Sequence, residues 1–142
     1  MEVPENQSVG EEMEKTVTEY RDLAAAGDPE AQLCLGVCYR QGEGVEQDDA
    51  QAFYWVRCAA ERGYAPAQIY LAECYSEGCG IERDAALAAE WIKRAAEQGC
   101  AEGQSLLGHC YLEGFGVEED PEQAVPWLQK AAEQGDSDAY LA

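Results

Sequence analysis

The sequence predicts an all-α fold, a right-handed α/α superhelical solenoid of antiparallel helix pairs. Three observations predict it. The phrase LGVCYRQGEGV at 35–45 returns as LAECYSEGCGI at 71–81 and as LGHCYLEGFGV at 107–117, an offset of 36 residues with no gap. Each period holds two stretches with apolar or small residues at i, i+3, i+4 and i+7, the spacing of one helix face. Paired glycines separate the two stretches. Two short helices cannot bury their apolar faces alone, so a fixed period of this kind means units stacked side by side.

Taken in order, residues 1–10 are expected to be disordered, and 11–26, EEMEKTVTEYRDLAAA, to form an N-terminal capping helix. Those residues occupy the place of a second helix one period early, with Glu19 where tryptophan stands later. A polar outer face is what a terminal helix of a stack needs. Repeat 1 spans 27–63, repeat 2 spans 64–99 and repeat 3 spans 100–135. The closing DSDAYLA, 136–142, starts a fourth repeat or forms a C-terminal stub, so the chain either ends in a short cap or is cut from a longer array.

Within repeat 1, Ala31, Cys34, Leu35, Cys38 and Tyr39 predict a first helix over about 29–40, and Ala52, Trp55, Val56, Ala59 and Ala60 predict a second over about 49–62. Asp48, Asp84 and Asp120 stand where an N-cap belongs, and Gly63 where a C-terminal glycine belongs. Pro121 follows Asp120, at the first helical position, where its missing N–H costs nothing. Gln51 and Gln123, three residues after their aspartates, are placed for a capping box. Between the helices the chain must reverse within a few residues. Gly42 is expected to take the left-handed conformation that ends the first helix, which would cost a residue with a Cβ about 1–2 kcal/mol. Val45, Ile81 and Val117, the apolar residue of each loop, should tuck between the paired helices. Trp55, Trp91 and Trp127 share the face of the alanine pairs and are expected in the core, each worth about 3–5 kcal/mol on truncation.

The balance of 29 acids against 9 bases gives a net charge of −20. Nucleic acids and anionic membranes both demand cations that displace counterions, so neither is an expected partner. The first residues, MEVPENQSVG, have neither the basic start nor the apolar run of a secretory signal. Seven cysteines, an odd number, read most simply as reduced thiols, and the expected location is cytoplasmic.

Cys38, Cys74 and Cys110 tempt a chemical reading. Zinc needs three or four Cys or His ligands at one point, whereas one cysteine on each first helix, with helices about 8–10 Å apart, forms a line. Cysteine is also a small, readily buried residue, and that is the reading adopted. Cys79 and Cys100, in a loop and at a junction, should be the more exposed thiols. His109 precedes Cys110, but adjacent helical residues point about 100° apart and cannot form a dyad. No SxxK, HExxH or calcium-loop spacing occurs. The GxG pairs lack a preceding strand and the third glycine of a dinucleotide fingerprint, which is Gln47, Arg83 or Glu119. The residues support no enzyme, no metal and no cofactor.

The pattern carried by Ala31, Leu35, Gly36, Tyr39, Gly42, Gly44, Val45, Asp48, Ala52, Trp55, Ala59, Ala60 and Gly63, and repeated twice, resembles the Sel-1-like repeat, a relative of the tetratricopeptide repeat. The resemblance implies an α/α solenoid acting as an adaptor that assembles macromolecules on its curved inner face, in systems such as protein degradation at the endoplasmic reticulum, bacterial signalling or host interaction. It also implies that the first helix of each pair lines that face. The positions there that are neither core nor repeated are Leu33, Val37, Arg40 and Gln41; Ile69, Glu73, Ser76 and Glu77; and Ser105, His109, Leu112 and Glu113. Apolar groups mixed with acids suit a protein or peptide with Lys or Arg beside an apolar anchor. A cysteine-rich branch of the family, described as binding or hydrolysing β-lactams, supplies the alternative of a β-lactam-binding, β-lactam-hydrolysing or thiol-dependent enzyme. That branch's disulfide positions match Ala60 with Gln68 and Ala96 with Gln104 here, so its framework does not carry over.

Overall fold

The structure is a computed structural model that describes residues 17–79 and 81–135. The predicted disordered start, the first part of the capping helix and the stub lie outside the described residues. Those described hold seven helices and no strand. The first, α1, is helical over 17–25. It is followed by α2 (Pro29–Gln41), α3 (Asp49–Glu61), α4 (Ala65–Glu77), α5 (Ala85–Glu97), α6 (Ala101–Glu113) and α7 (Pro121–Glu133). From α2 onward each helix packs on its neighbours in the chain, most closely within the pairs α2–α3, α4–α5 and α6–α7, as in an α/α solenoid. No helix among the described residues is long and apolar enough to cross a membrane.

The turns repeat atom for atom. Gly42, Gly78 and Gly114 end the first helices with φ of 72°, 80° and 69°, and the carbonyls of Cys38, Cys74 and Cys110 accept their N–H groups. At the turn, then, the cysteines supply a carbonyl; their thiols are not used. The Asp48, Asp84 and Asp120 carboxylates accept from the N–H groups of Gln51, Leu87 and Gln123 at 3.1, 3.1 and 3.3 Å. The reciprocal half of the predicted capping box does not form, for a physical reason. Each aspartate's own N–H is already donated to the carbonyl of Tyr39, Tyr75 or Tyr111, clamping the end of one helix to the start of its partner. Gln123 instead donates its side-chain amide to the Asp120 carboxylate at 2.8 Å, and these bonds hold that carboxyl below its ordinary range. The first helix runs one residue past the expected end, to Gln41, and α3 stops one residue early. Arg62 caps α3 in a right-handed conformation, and the turn to positive φ comes at Gly63.

Leu35, Leu71 and Leu107 are fully buried, one per unit, and Ala59, Ala95 and Ala131 are equally closed off. The main cluster runs from Val56 to Cys110, with smaller clusters at either end. Val45 and Val117 are half-buried against these clusters, as the loop pattern predicts. The tryptophan column is less uniform than predicted. Trp91 is buried, while Trp55 and Trp127 are half-buried. Arg94 covers the ring of Trp91 at 4.4 Å and Lys130 that of Trp127 at 4.7 Å, contacts favoured by the ring quadrupole. Cys58 occupies the equivalent place in the first unit, where Trp55 packs against the N-terminal cluster and meets the Tyr54 ring edge-on at 5.1 Å.

A ladder of glutamines links the units. Gln32, Gln68 and Gln104 are buried and donate to the carbonyls of Ala24, Ala60 and Ala96 at 3.1, 3.1 and 3.4 Å. Gln98 then donates to the Gln68 Oε1 at 2.8 Å, and Gln134 to the Gln104 Oε1 at 2.7 Å. The pairs Ala60 with Gln68 and Ala96 with Gln104, where the cysteine-rich branch was expected to differ, are thus tied by hydrogen bonds.

Candidate functional site

The twelve positions singled out in the sequence lie on α2, α4 and α6, the first helix of each unit, and they divide by burial. Leu33, Ile69 and Ser105 form a column. Ile69 is 5% and Ser105 3% exposed, so neither offers a contact surface, and Leu33 is half-buried against the central cluster. Ile69 and Ser105 were expected to face a partner; in the structure both are sealed from solvent.

The remaining residues form two patches. At the N-terminal end, Leu33 and Val37 line a cavity of about 380 Å³ with Val17, Tyr20, Cys34 and Cys38, and Glu43 stands at its edge. Burial, with Glu43 and Cys34 adding negative charge, pushes the Cys38 thiol up. The second patch is acidic. Arg40 reaches from α2 to α4, pairing with Glu77 at 2.7 Å, donating to the Cys79 Sγ at 3.1 Å and lying 5.2 Å from the centre of the Tyr70 ring. It is therefore committed to a contact between units. Glu73, at the position equivalent to Val37, loses water to its packed neighbours and feels Glu102 and Glu77; its carboxyl is held above the usual range despite Arg40. Ser76 donates to the Glu73 carbonyl at 3.3 Å, a bond inside its own helix. Gln41 and Glu113 are exposed, His109 is half-buried, and Leu112 is half-buried against the α7 cluster.

Two residues that sequence reasoning passed over belong to the acidic patch. Glu102 opens α6 and faces Glu73 across the unit boundary, and Tyr70 carries Arg40. Their approach depends on how α4 stacks on its neighbours, which the 36-residue alignment does not show.

No catalytic arrangement emerges from the thiols. All seven cysteines are free. Cys74 and Cys110 are buried, and burial pushes both thiols up to about 11, so they stay protonated at neutral pH. The expectation that Cys79 and Cys100 are more exposed than the column cysteines separates them only from Cys74 and Cys110, since Cys38 is half-buried as well. Among the described residues no three His, Cys, Asp or Glu side chains converge as metal ligands.

Three helix pairs, α2–α3, α4–α5 and α6–α7, each clamped by one aspartate, define a helical-repeat scaffold. The Sel1 repeat family model matches residues 29–64, 65–100 and 101–136, and the chain belongs to that family. Proteins of the family commonly serve as protein–protein interaction scaffolds and are typically non-enzymatic. Among solved structures, the chain is similar to a Sel1 repeat protein from Oxalobacter formigenes, at 40% identity and a TM-score of 0.85 over 89% of this chain and 37% of that one. It is similar to a protective antigen present in uropathogenic Escherichia coli strains, with an SLR fold, at 41% identity and a TM-score of 0.83 over 87% of this chain and 26% of that one. Helicobacter pylori cysteine rich protein B shares the fold, at 23% identity and a TM-score of 0.70 over 92% of this chain and 93% of that one. An uncharacterized protein of Neisseria meningitidis serogroup B is 51% identical over 45 residues, 32% of this chain and 10% of that protein. The chain thus spans well under half the length of the first two structures and a tenth of the Neisseria protein.

Proposed function

We propose that the chain is a non-enzymatic adaptor that binds a protein or peptide partner along the solvent-facing flank of α2, α4 and α6. The contact set is the predicted one without Arg40, Ile69 and Ser105, and with Glu102 added. One observation carries the reading: Leu33 and Val37 line an apolar cavity, and the position equivalent to Val37 one unit on is Glu73, within the influence of Glu77 and Glu102. An apolar anchor would fill the first, and Lys or Arg beside it would meet the second. The net charge of −20 favours the same cationic partner, and seven free thiols suit a reducing cytoplasm.

Affinity for a captured partner is expected to fall as salt rises and to drop about tenfold in Glu73→Lys, a loss of one favourable charge contact replaced by a repulsive one. The pH dependence follows from the sign of the Glu73 shift. Its carboxyl titrates above the usual range, so protonation on acidification removes the negative charge earlier than at an ordinary glutamate, and affinity falls through that window. Titration calorimetry of wild type and Glu73→Lys at two salt concentrations and across pH checks all three. Binding that ignores salt and the substitution would count against the reading.

A further inference from the structure

The first unit departs from the other two at one place in the glutamine ladder. In the second and third units the carboxamides of Gln98 and Gln134 close on the Oε1 atoms of Gln68 and Gln104. Arg62 holds the matching position in the first unit, and the Oε1 of Gln32, on a side chain 4% exposed, accepts a hydrogen bond from no protein group among the described residues. A buried acceptor left in that condition is costly, which makes a donor ligand worth holding.

The surroundings specify more than a donor. Gln32 lines a cavity of about 510 Å³ between the end of α1 and α3, together with Trp55, Tyr54, Glu61 and Arg62. That volume is within the range of sites for small molecules, about 300–1,000 Å³. The Trp55 ring carries no cation, since Cys58 replaces the Arg94 and Lys130 that cover Trp91 and Trp127. Glu61 is already paired with Arg57 at 2.8 Å. The Arg62 guanidinium lies against Gly27, within 2.9 Å of where a Cβ would stand, and forms no hydrogen bond or ion pair among the described residues. The cavity therefore offers an exposed guanidinium without an acidic partner among the described residues, a buried acceptor and an aromatic ring.

We propose that this cavity binds an acylated α-amino-acid carboxylate, the group found at every peptide C-terminus. The carboxylate meets the Arg62 guanidinium, the amide N–H is donated to the Gln32 Oε1, and the side chain lies against Trp55. The site shares no residue with the flank of α2, α4 and α6 assigned to the partner, so it stands or falls independently of the adaptor reading.

The test titrates N-acetyl-leucine into the intact protein and follows the Trp55 indole and Gln32 side-chain amide signals by NMR. Saturable shifts at those two groups, with Trp91 and Trp127 unmoved, are expected. N-acetyl-leucinamide, which lacks the carboxylate, should bind about tenfold more weakly, the loss of one charge-assisted contact. Arg62→Gln supplies the residue found in the other two units, so it is expected to close the ladder, fold with an unchanged or higher Tm, and lose N-acetyl-leucine binding about tenfold or more. An acetylated tripeptide ending in leucine distinguishes the sources: tighter binding than N-acetyl-leucine assigns the site to peptide C-termini, and equal binding assigns it to free acyl-amino acids. No saturable shift at Trp55, equal affinity for the acid and the amide, or undiminished binding by Arg62→Gln would overturn the proposal. So would a crystal structure at high ligand concentration in which only water bridges Arg62 and Gln32.

Discussion

Gly116→Ala is expected to destabilise the protein by about 2–5 kcal/mol, the sum of left-handed strain and overpacking against atoms that cannot move aside. Gly116 has φ of 69°, and a Cβ there would overlap the carbonyl oxygen of Ala85 and stand 2.8 Å from the Ala89 Cβ. The loop of the third unit thus rests directly on the first turns of α5, in the unit before it. Gly114, with the same φ, is the internal control, because a Cβ there would meet nothing closer than the Glu119 Cβ at 3.4 Å. Gly114→Ala should cost only the strain, about 1–2 kcal/mol. Urea unfolding of the two variants separates a close approach between units from a simple turn requirement. Equal losses would show that the loop does not bear on α5.

Leu71→Ala should cost about 2–5 kcal/mol, the range for truncating a leucine that is sealed from water. Leu71 is fully buried in the main cluster and belongs to the middle unit. Nearest-neighbour contacts hold a solenoid together, so a cavity in the centre weakens coupling to both ends. The transition is expected to shift to lower urea and to broaden, with a smaller m-value, as the terminal units begin to unfold separately. Leu87→Ala, at a leucine 36% exposed on α5, should change stability by no more than about 0.5 kcal/mol. A comparable loss at both positions would contradict the assigned core.

Much of this architecture was legible because each unit repeats its signals. The Asp48 column caps as its spacing says, Gly42 takes the left-handed conformation, and the leucine and alanine columns close the core. What escaped depends on relations between units. Gln32, Gln68 and Gln104 recur at the same period and were there to be seen, but a polar residue inside a helical stripe gives no hint that its amide reaches a carbonyl of the preceding helix. Ile69 and Ser105 vary between units like surface positions, yet both are buried. The capping box failed at its reciprocal half because the aspartate N–H serves a longer-range clamp to a tyrosine carbonyl. Arg62 and Cys58 read as unremarkable substitutions until the ladder and the cation over each tryptophan are seen in the neighbouring units. The flank proposed to face a partner was drawn from residue type alone, whereas the pairing of Arg40 with Glu77 and the approach of Glu102 to Glu73 are products of the stack.

The adaptor reading places a partner on one flank of the solenoid, and hydrogen exchange of the intact protein with its captured partner tests that placement most directly. Protection is expected in α2, α4 and α6, centred on Val37, Glu73 and Glu77, and it should vanish with Glu73→Lys while the exchange of α3, α5 and α7 stays unchanged. Protection confined to α3, α5 and α7, or a footprint indifferent to Glu73→Lys, would contradict it.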